Sequence, residues 1–100
     1  KIRIIDLHGF SLENANINVK KFINESFEKK FKKIKVITGK GSRSKAQENP
    51  YISNKLSILR NSVPEFIKND ISLIKKIQKI YKAHPNEGGE GAFYILLKKN

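Results

Sequence analysis

KIRIIDLHGFSLENANINVKKFINESFEKKFKKIKVITGKG, residues 1–41, predicts a strand, a helix and a second strand. Residues 1–7 are rich in β-branched isoleucine, and His8-Gly9 ends that run. Ser11 occupies an N-cap position, and apolar residues then recur every three or four positions to about Phe31. Residues 34–38 are again β-branched and are closed by a Gly-Lys-Gly turn. Because a strand–helix–strand unit is right-handed and its strands are parallel, both strands should end at one edge of a sheet.

The rest of the chain predicts a further helix, two loops and a final strand. Residues 42–50 are polar and aperiodic, which is typical of a loop. Residues 54–61 have the apolar spacing of a helix, and Pro64 favours a fresh helical turn after it. Residues 85–91 are rich in turn residues and precede a clear strand at residues 92–97.

The segment from residue 70 to residue 83 fits two structures. Ile74, Ile77 and Tyr81 follow helical spacing, whereas alternate residues from Ile77 to Ala83 could form one face of a strand. If residues 77–83 are a strand, the order is β-α-β-α-β-β, and the fold is an α/β two-layer sandwich with a four-stranded mixed sheet. Three glycine-containing loops then converge on one edge, the usual place for a ligand in an open α/β sheet.

The composition fits one small domain. A chain of 100 residues is sufficient for one core. No apolar run approaches the roughly 18 residues of a transmembrane helix, and no signal-peptide pattern opens the chain. The absence of cysteine excludes disulfides and thiolate metal sites and agrees with a cytoplasmic location. Because the chain has no methionine and begins inside a predicted strand, we expect residues 1–100 to be a domain cut from a longer protein.

The net charge of +12 favours a polyanionic partner, RNA or DNA. However, the sequence has 18 lysines and only 3 arginines, together with many isoleucines and asparagines, a bias that A/T-rich codons also produce. Selected phosphate contacts often use arginine as well, because its planar fork binds phosphate through two hydrogen bonds. The charge alone therefore supports this class of partner only weakly.

Asp6 and His8 are the first candidates for chemistry. They are two residues apart on a strand, so their side chains should project to the same face while Leu7 points to the other. Histidine is the common general acid or base near neutral pH, and a neighbouring aspartate can orient it or share a proton. The alternative is a loop-capping aspartate beside a surface histidine. A metal site would need His84 as well, and nothing in the sequence fixes His84 near His8, so we predict neither a metal nor a cofactor.

Two glycine-rich segments, residues 38–42 and residues 88–92, are candidates for binding phosphate. They lack the Walker and dinucleotide-binding patterns, yet backbone N–H groups around glycines can form an anion-binding nest, beside which a lysine supplies charge. Tyr51 could stack on an exposed base. The alternative is ordinary turns with surface cations. The candidate nucleic-acid-binding residues are Gly39, Lys40, Gly41, Ser42, Arg43, Lys45, Gly88, Gly89 and Glu90.

Taken together, these motifs resemble those of the small MutS-related (Smr) domain family, in particular its stand-alone bacterial members. The likeness covers essentially the entire chain. The matching motifs are Asp6-Leu7-His8-Gly9, Thr38-Gly39-Lys40-Gly41, Leu59-Arg60-Asn61-Ser62-Val63-Pro64 and Gly88-Gly89-Glu90-Gly91-Ala92.

The resemblance implies a fold similar to the C-terminal domain of the third bacterial translation initiation factor, with residues 77–83 as a strand. It also implies endonuclease activity on DNA or RNA, with some relatives acting at stalled or collided ribosomes. Asp6 and His8 then take the roles of the family's acid and histidine, and we add Lys40 as a third catalytic candidate that stabilises phosphate charge. Many relatives have histidine where this chain has Glu87. A non-catalytic RNA- or ribosome-binding module is the alternative function.

Overall fold

The computed structural model describes residues 1–39, 50–87 and 89–100, except for the side chains of residues 50–58 and 90. Within these ranges the chain alternates strands and helices and ends in two strands. Two short 3₁₀ turns lie between the last two strands. The elements are β1 (Ile2–Asp6), α1 (Leu12–Glu28), β2 (Lys33–Ile37), α2 (Pro50–Asn69), α3 (Ile71–Ile74), β3 (Ile77–Lys82), the 3₁₀ turns Pro85–Glu87 and Gly89–Gly91, and β4 (Ala92–Leu97).

The strands form one four-stranded mixed sheet in the order β1-β2-β4-β3. β1 and β2 are parallel, as the strand–helix–strand pattern predicts, and β4 is antiparallel to both β2 and β3. β3 therefore runs parallel to β1 and β2. The carboxyl ends of these three strands and the start of β4 lie at the same edge, so the three loops begin there, as predicted.

The two faces of the sheet differ in what covers them. On β2, Ile34 and Val36 are fully buried and belong to the main core, whereas the alternate residues Lys33 and Lys35 are only half-buried on the opposite face. The helices contribute to the same core as Ile34 and Val36. Among the described residues, therefore, all helices pack on one face, which gives the predicted two-layer α/β sandwich. The second face is called the open face below.

The ambiguous segment contains both of the structures that its pattern allowed. Ile71–Ile74 is a single helical turn, and Ile77–Lys82 is the third strand. The predicted strand is thus confirmed. Ile74 belongs to the helix and Ile77 to the strand, so no single period runs through the segment.

The prediction that the second helix is interrupted at Pro64 was wrong. α2 is continuous from Pro50 to Asn69, with Pro64 inside it. Leu59, Val63 and Ile67 are buried at four-residue spacing on both sides of the proline. Their burial offsets the missing hydrogen bond and the steric cost of an interior proline, which is about 3 kcal/mol. Pro50, predicted as loop, instead begins the helix, where proline is well tolerated.

The first helix begins where its cap predicts and ends earlier than its apolar pattern predicts. The Ser11 hydroxyl accepts a hydrogen bond from the Asn14 N–H at 3.2 Å. After Glu28, Lys30 adopts a positive φ of 66° and the Phe31 N–H reaches back to the Ser26 carbonyl at 3.0 Å. This reversal ends the helix and leaves Phe31 packed against the core as the chain turns into β2.

We predict that replacing Asp70 with asparagine lowers the stability at neutral pH by about 1 kcal/mol. Asp70 caps α3, and its carboxylate lies 2.9 Å from the Lys20 ammonium of α1. The Ser72 hydroxyl, then Lys20 and the Leu73 N–H, lower the pKa of Asp70 to about 2. Asparagine can keep the capping hydrogen bond, so the substitution removes mainly the charge.

The pH dependence of unfolding tests this assignment. Because the folded-state pKa of Asp70 is depressed, its stabilisation is fully present above pH 3.8 and is lost as pH falls towards 2. Urea unfolding at several pH values should show wild type and Asp70→Asn converging below about pH 2. A difference that persists unchanged there would contradict the charge-based explanation.

Candidate functional site

Asp6 and His8 form a hydrogen-bonded pair at the carboxyl end of β1. The His8 Nδ1 lies 2.8 Å from Asp6 Oδ1, and the His8 backbone N–H donates to the same oxygen at 3.0 Å. Leu7, between them, is fully buried in the core. This confirms the predicted alternation, in which the pair shares one face and Leu7 takes the other.

The electrostatics of the pair define which imidazole nitrogen is available. The His8 side chain, followed by its backbone N–H, lowers the pKa of Asp6 below its ordinary value. An ionised Asp6 accepts the hydrogen of Nδ1–H, so Nε2 is the basic nitrogen of the neutral ring. The side chains of His8 and Asp6 are 71% and 51% exposed, so Nε2 can meet a large substrate without any opening of the fold.

Gly39, the second residue after β2, lies directly against His8. Gly39 has a positive φ of 86°, and a Cβ built on it would lie 3.2 Å from the His8 Cβ. Glycine is required here for two reasons, because a side chain would be strained by the backbone conformation and would also press on the histidine. The predicted grouping of Gly39 with His8 is therefore what the structure shows.

The third loop is attached to the second through backbone hydrogen bonds. The Gly91 carbonyl accepts hydrogen bonds from the N–H of Thr38 at 2.8 Å and from that of Gly39 at 3.0 Å. The Thr38 hydroxyl, 3.4 Å from the same oxygen, is buried. Sequence reasoning missed this role of Thr38 and Gly91. The only available signal was their place in the glycine motifs.

The remainder of the third loop is defined by its backbone. Gly89 has a φ of 53°, and its N–H donates to the His84 carbonyl at 2.9 Å. Glu87, the residue that departs from the family pattern, is exposed and its N–H donates to the same carbonyl at 2.8 Å. The Glu87 bond closes the first 3₁₀ turn, and the Gly89 bond ties the start of the second turn back to His84. Glu90 lies in the second turn, and its side chain is not among those described.

Several predicted site residues lie outside the described part of the chain. The structure therefore does not test the predicted loop at residues 42–49 or the stacking role of Tyr51. Within the described residues, no group of three or more His, Cys, Asp or Glu side chains could hold a metal ion. The predicted site residues that lie outside are Lys40, Gly41, Ser42, Arg43, Lys45 and Gly88.

Replacing Gly39 with alanine should destabilise the domain more than the same change at Gly9. Both glycines have similar positive φ values, 86° and 83°, so both variants incur a backbone cost of about 1–2 kcal/mol. Only Gly39 would also press on His8, because nothing lies within 4 Å of a Cβ at Gly9. Urea unfolding of the two variants measures the difference. Equal losses would mean that His8 moves aside at no cost.

Known proteins resemble this chain in sequence and in fold. The family model of the Smr domain matches residues 5–98. A protein named Endonuclease MutS2, from Finegoldia magna, is 33% identical over 94 residues, which are 94% of this chain and 10% of that protein. The chain thus spans about a tenth of the length of this curated relative.

Two solved structures have similar folds. The Smr domain of Thermus thermophilus MutS2 superimposes with a TM-score of 0.74 at 22% identity, covering 96% of this chain and 98% of the other. YdaL, a stand-alone small MutS-related protein from Escherichia coli, gives a TM-score of 0.77 at 22% identity, covering 99% and 69%. At this level of identity the two likenesses bear on the fold alone.

Proposed function

The chain belongs to the Smr domain family, and on this basis we propose that it is a nucleic-acid endonuclease domain that cleaves phosphodiester bonds. The observation that carries the proposal is the Asp6–His8 pair, with a 2.8 Å hydrogen bond on Nδ1 and Nε2 directed away from it. The relationship to a protein named as an endonuclease, MutS2, supports the same activity. The net charge of +12 supports a polyanionic substrate.

We propose RNA as the preferred substrate, because RNA supplies its own nucleophile. His8 Nε2 would take the proton of the ribose 2′-hydroxyl, whose oxygen then attacks the adjacent phosphorus. The bond from phosphorus to the 5′ oxygen breaks, and that oxygen takes a proton from water. Asp6 would hold the ring in place and stabilise the imidazolium that forms. The products are a 2′,3′-cyclic phosphate and a 5′-hydroxyl end.

The glycine-rich loops would stabilise the charge that develops on the phosphate. Gly39 lies beside His8, which supports the proposal that the glycine-rich segment contacts the non-bridging oxygens of a phosphate bound there. In this proposal Lys40 supplies a positive charge, and the amides of Gly39 and Gly41 donate hydrogen bonds, as preorganised donors do in other acyl- and phosphoryl-transfer sites. The other predicted nucleic-acid contacts would extend this site along the strand.

A non-catalytic RNA- or ribosome-binding module is the second candidate. The exposure of the pair favours it, since general acid–base groups usually work in partly desolvated sites, and His8 is 71% exposed. Both candidate functions include the ribosome as a proposed partner and the cytoplasm as the proposed location. Among the described residues, no helix is long and apolar enough to span a membrane.

Cleavage of an end-labelled RNA and a matched DNA by the purified domain, with and without EDTA, tests the proposal. We expect RNA to be cut and to carry a cyclic phosphate end. Cleavage of DNA alone would contradict the RNA preference, and loss of activity in EDTA would reveal a metal requirement. Binding of RNA without cleavage, with or without added ribosomes, would favour the binding module.

A further inference from the structure

The open face of the sheet presents lysine and tyrosine side chains in register with the Asp6–His8 pair. Strand pairing places the outward-facing residues in three rows across the sheet, each two residues further from the edge where the loops meet. The row at the edge is Asp6, Ile37 and Ala92; the middle row is Ile4, Lys35, Tyr94 and Tyr81; the far row is Ile2, Lys33, Leu96 and Lys79.

The tyrosines form a stacked pair beneath the lysines. The rings of Tyr81 and Tyr94 are 5.4 Å apart between centroids and inclined by 28°. The Nζ of Lys33 lies 4.3 Å from the Tyr94 centroid, and that of Lys35 lies 5.8 Å from it. The Nζ of Lys79 lies 5.4 Å from the Tyr81 centroid. These cation–π contacts hold three ammonium groups over one aromatic surface.

This surface is cationic as well as aromatic. The hydrogen bond with the Tyr81 hydroxyl raises the pKa of Lys33 above its ordinary value. Tyr94 is almost fully covered, whereas Tyr81 is only half-buried. Interleaved cations and aromatic rings are the combination that proteins use to bind single-stranded nucleic acid, with cations on phosphates and a ring beneath a base.

We propose that the open face binds a single-stranded segment of RNA and leads it to His8. Lys33, Lys35 and Lys79 would contact phosphates, and Tyr81 would stack on one unpaired base. This inference rests on the proposed function and adds to it where the substrate strand runs. Lys35 is one strand and two residues away from Asp6, which is about 8 Å between Cα atoms. A single RNA chain is therefore long enough to contact Lys35 and reach the Asp6–His8 pair.

The chemistry of the face favours a single strand over a duplex. Stacking on Tyr81 requires an unpaired base, because the bases of a duplex are already stacked on each other. Lysine ammonium groups read phosphate as point charges and carry no sequence information. We therefore expect binding along this face to be strongly salt-dependent and tolerant of sequence.

The test compares two double variants that each remove two positive charges. Lys33→Gln/Lys35→Gln alters the open face, and Lys21→Gln/Lys75→Gln removes two exposed lysines of the helical layer as a matched control. Binding of a fluorescent single-stranded RNA is measured by anisotropy as a function of salt, with His8→Ala present throughout to prevent cleavage. Thermal unfolding of each protein checks the fold.

We expect the open-face variant to bind at least about ten times more weakly than the helical-layer control. The slope of log affinity against log salt should become shallower by about 1.4, because two phosphate contacts are lost from a single strand. Tyr81→Leu should weaken binding by about tenfold. Lys33→Arg/Lys35→Arg should retain the affinity, since the charges remain.

Two results would overturn the inference, and they differ from failure of the proposed function. One is an open-face variant that binds like the helical-layer control while the wild type cuts RNA, in which case the nuclease proposal survives. The other is that the wild type binds an RNA duplex as tightly as the single strand, and that Tyr81→Leu weakens the binding of both RNAs equally. If the wild type neither binds nor cuts any nucleic acid, both proposals are wrong.

With His8 retained, the kinetic parameters give a second, independent readout. Lys33→Gln/Lys35→Gln should raise KM for a long RNA by about tenfold while kcat changes little, because the lysines hold the strand and do not touch the reacting atoms. A fall in kcat with unchanged KM would contradict this assignment.

Discussion

Replacing His8 with alanine should reduce RNA cleavage by at least about 100-fold and leave the fold intact, since a positioned general base contributes roughly 10²–10⁴. The His8 side chain is 71% exposed and belongs to no core cluster, so its loss costs little packing. Single-turnover cleavage of an end-labelled RNA, with thermal unfolding run in parallel, measures the two effects separately.

His84→Ala is the matched control, because His84 is also an exposed histidine in a loop at the same edge of the sheet. It should retain activity close to that of the wild type. Asp6→Asn should reduce cleavage as well, because it removes the negative charge that stabilises a protonated His8. Cleavage by His8→Ala at the wild-type rate would contradict the assignment of His8 as the base, and RNA binding without cleavage by all variants would favour the binding module.

The substitution Leu7→Ala should destabilise the domain by about 3 kcal/mol, since replacing a buried leucine with alanine costs roughly 2–5 kcal/mol. Leu7 is completely buried in the main core, and its truncation leaves a cavity between the sheet and the helices. A domain of this size has about 5–15 kcal/mol of stability, so the loss is a large fraction of the total.

Ile4→Ala provides the control for Leu7→Ala. Ile4 lies within β1, three residues before Leu7, on the open face, where it is 55% exposed, and its truncation should cost less than about 1 kcal/mol. Urea unfolding of both variants tests which face of β1 carries the core. Equal costs would contradict the alternation that places Asp6 and His8 together.

These two predictions separate chemistry from folding at adjacent residues. His8→Ala is expected to reduce cleavage by at least about 100-fold in a protein that unfolds at the wild-type temperature. Leu7→Ala is expected to shift the unfolding transition and to affect cleavage only insofar as the strand end is disturbed. The distinction follows from the alternation of side chains where β1 ends, which directs Leu7 into the core and leaves Asp6 and His8 exposed.

The sequence predicted local features wherever one short-range cause dominated. The N-cap at Ser11, the alternation across Leu7 and the final strand were all predicted correctly because each depends on neighbouring residues. Pro64 was misread because its local effect was outweighed by burial on both sides of it, at Leu59, Val63 and Ile67. That burial depends on the sheet packed beneath the helix, which no local pattern contains.

By itself, the sequence determined the strand–helix–strand unit, the pairing of Asp6 with His8, and the family to which the chain belongs. The tertiary structure decided which residues surround that pair, namely Gly39 and the lysine- and tyrosine-bearing open face. The Gly91 carbonyl that accepts from both Thr38 and Gly39, and the row that aligns Lys35 with Tyr94 and Tyr81, join residues far apart in the chain. Such contacts are set by strand order and register, which depend on how β4 inserts between β2 and β3. The period of each strand fixes only which face a side chain takes.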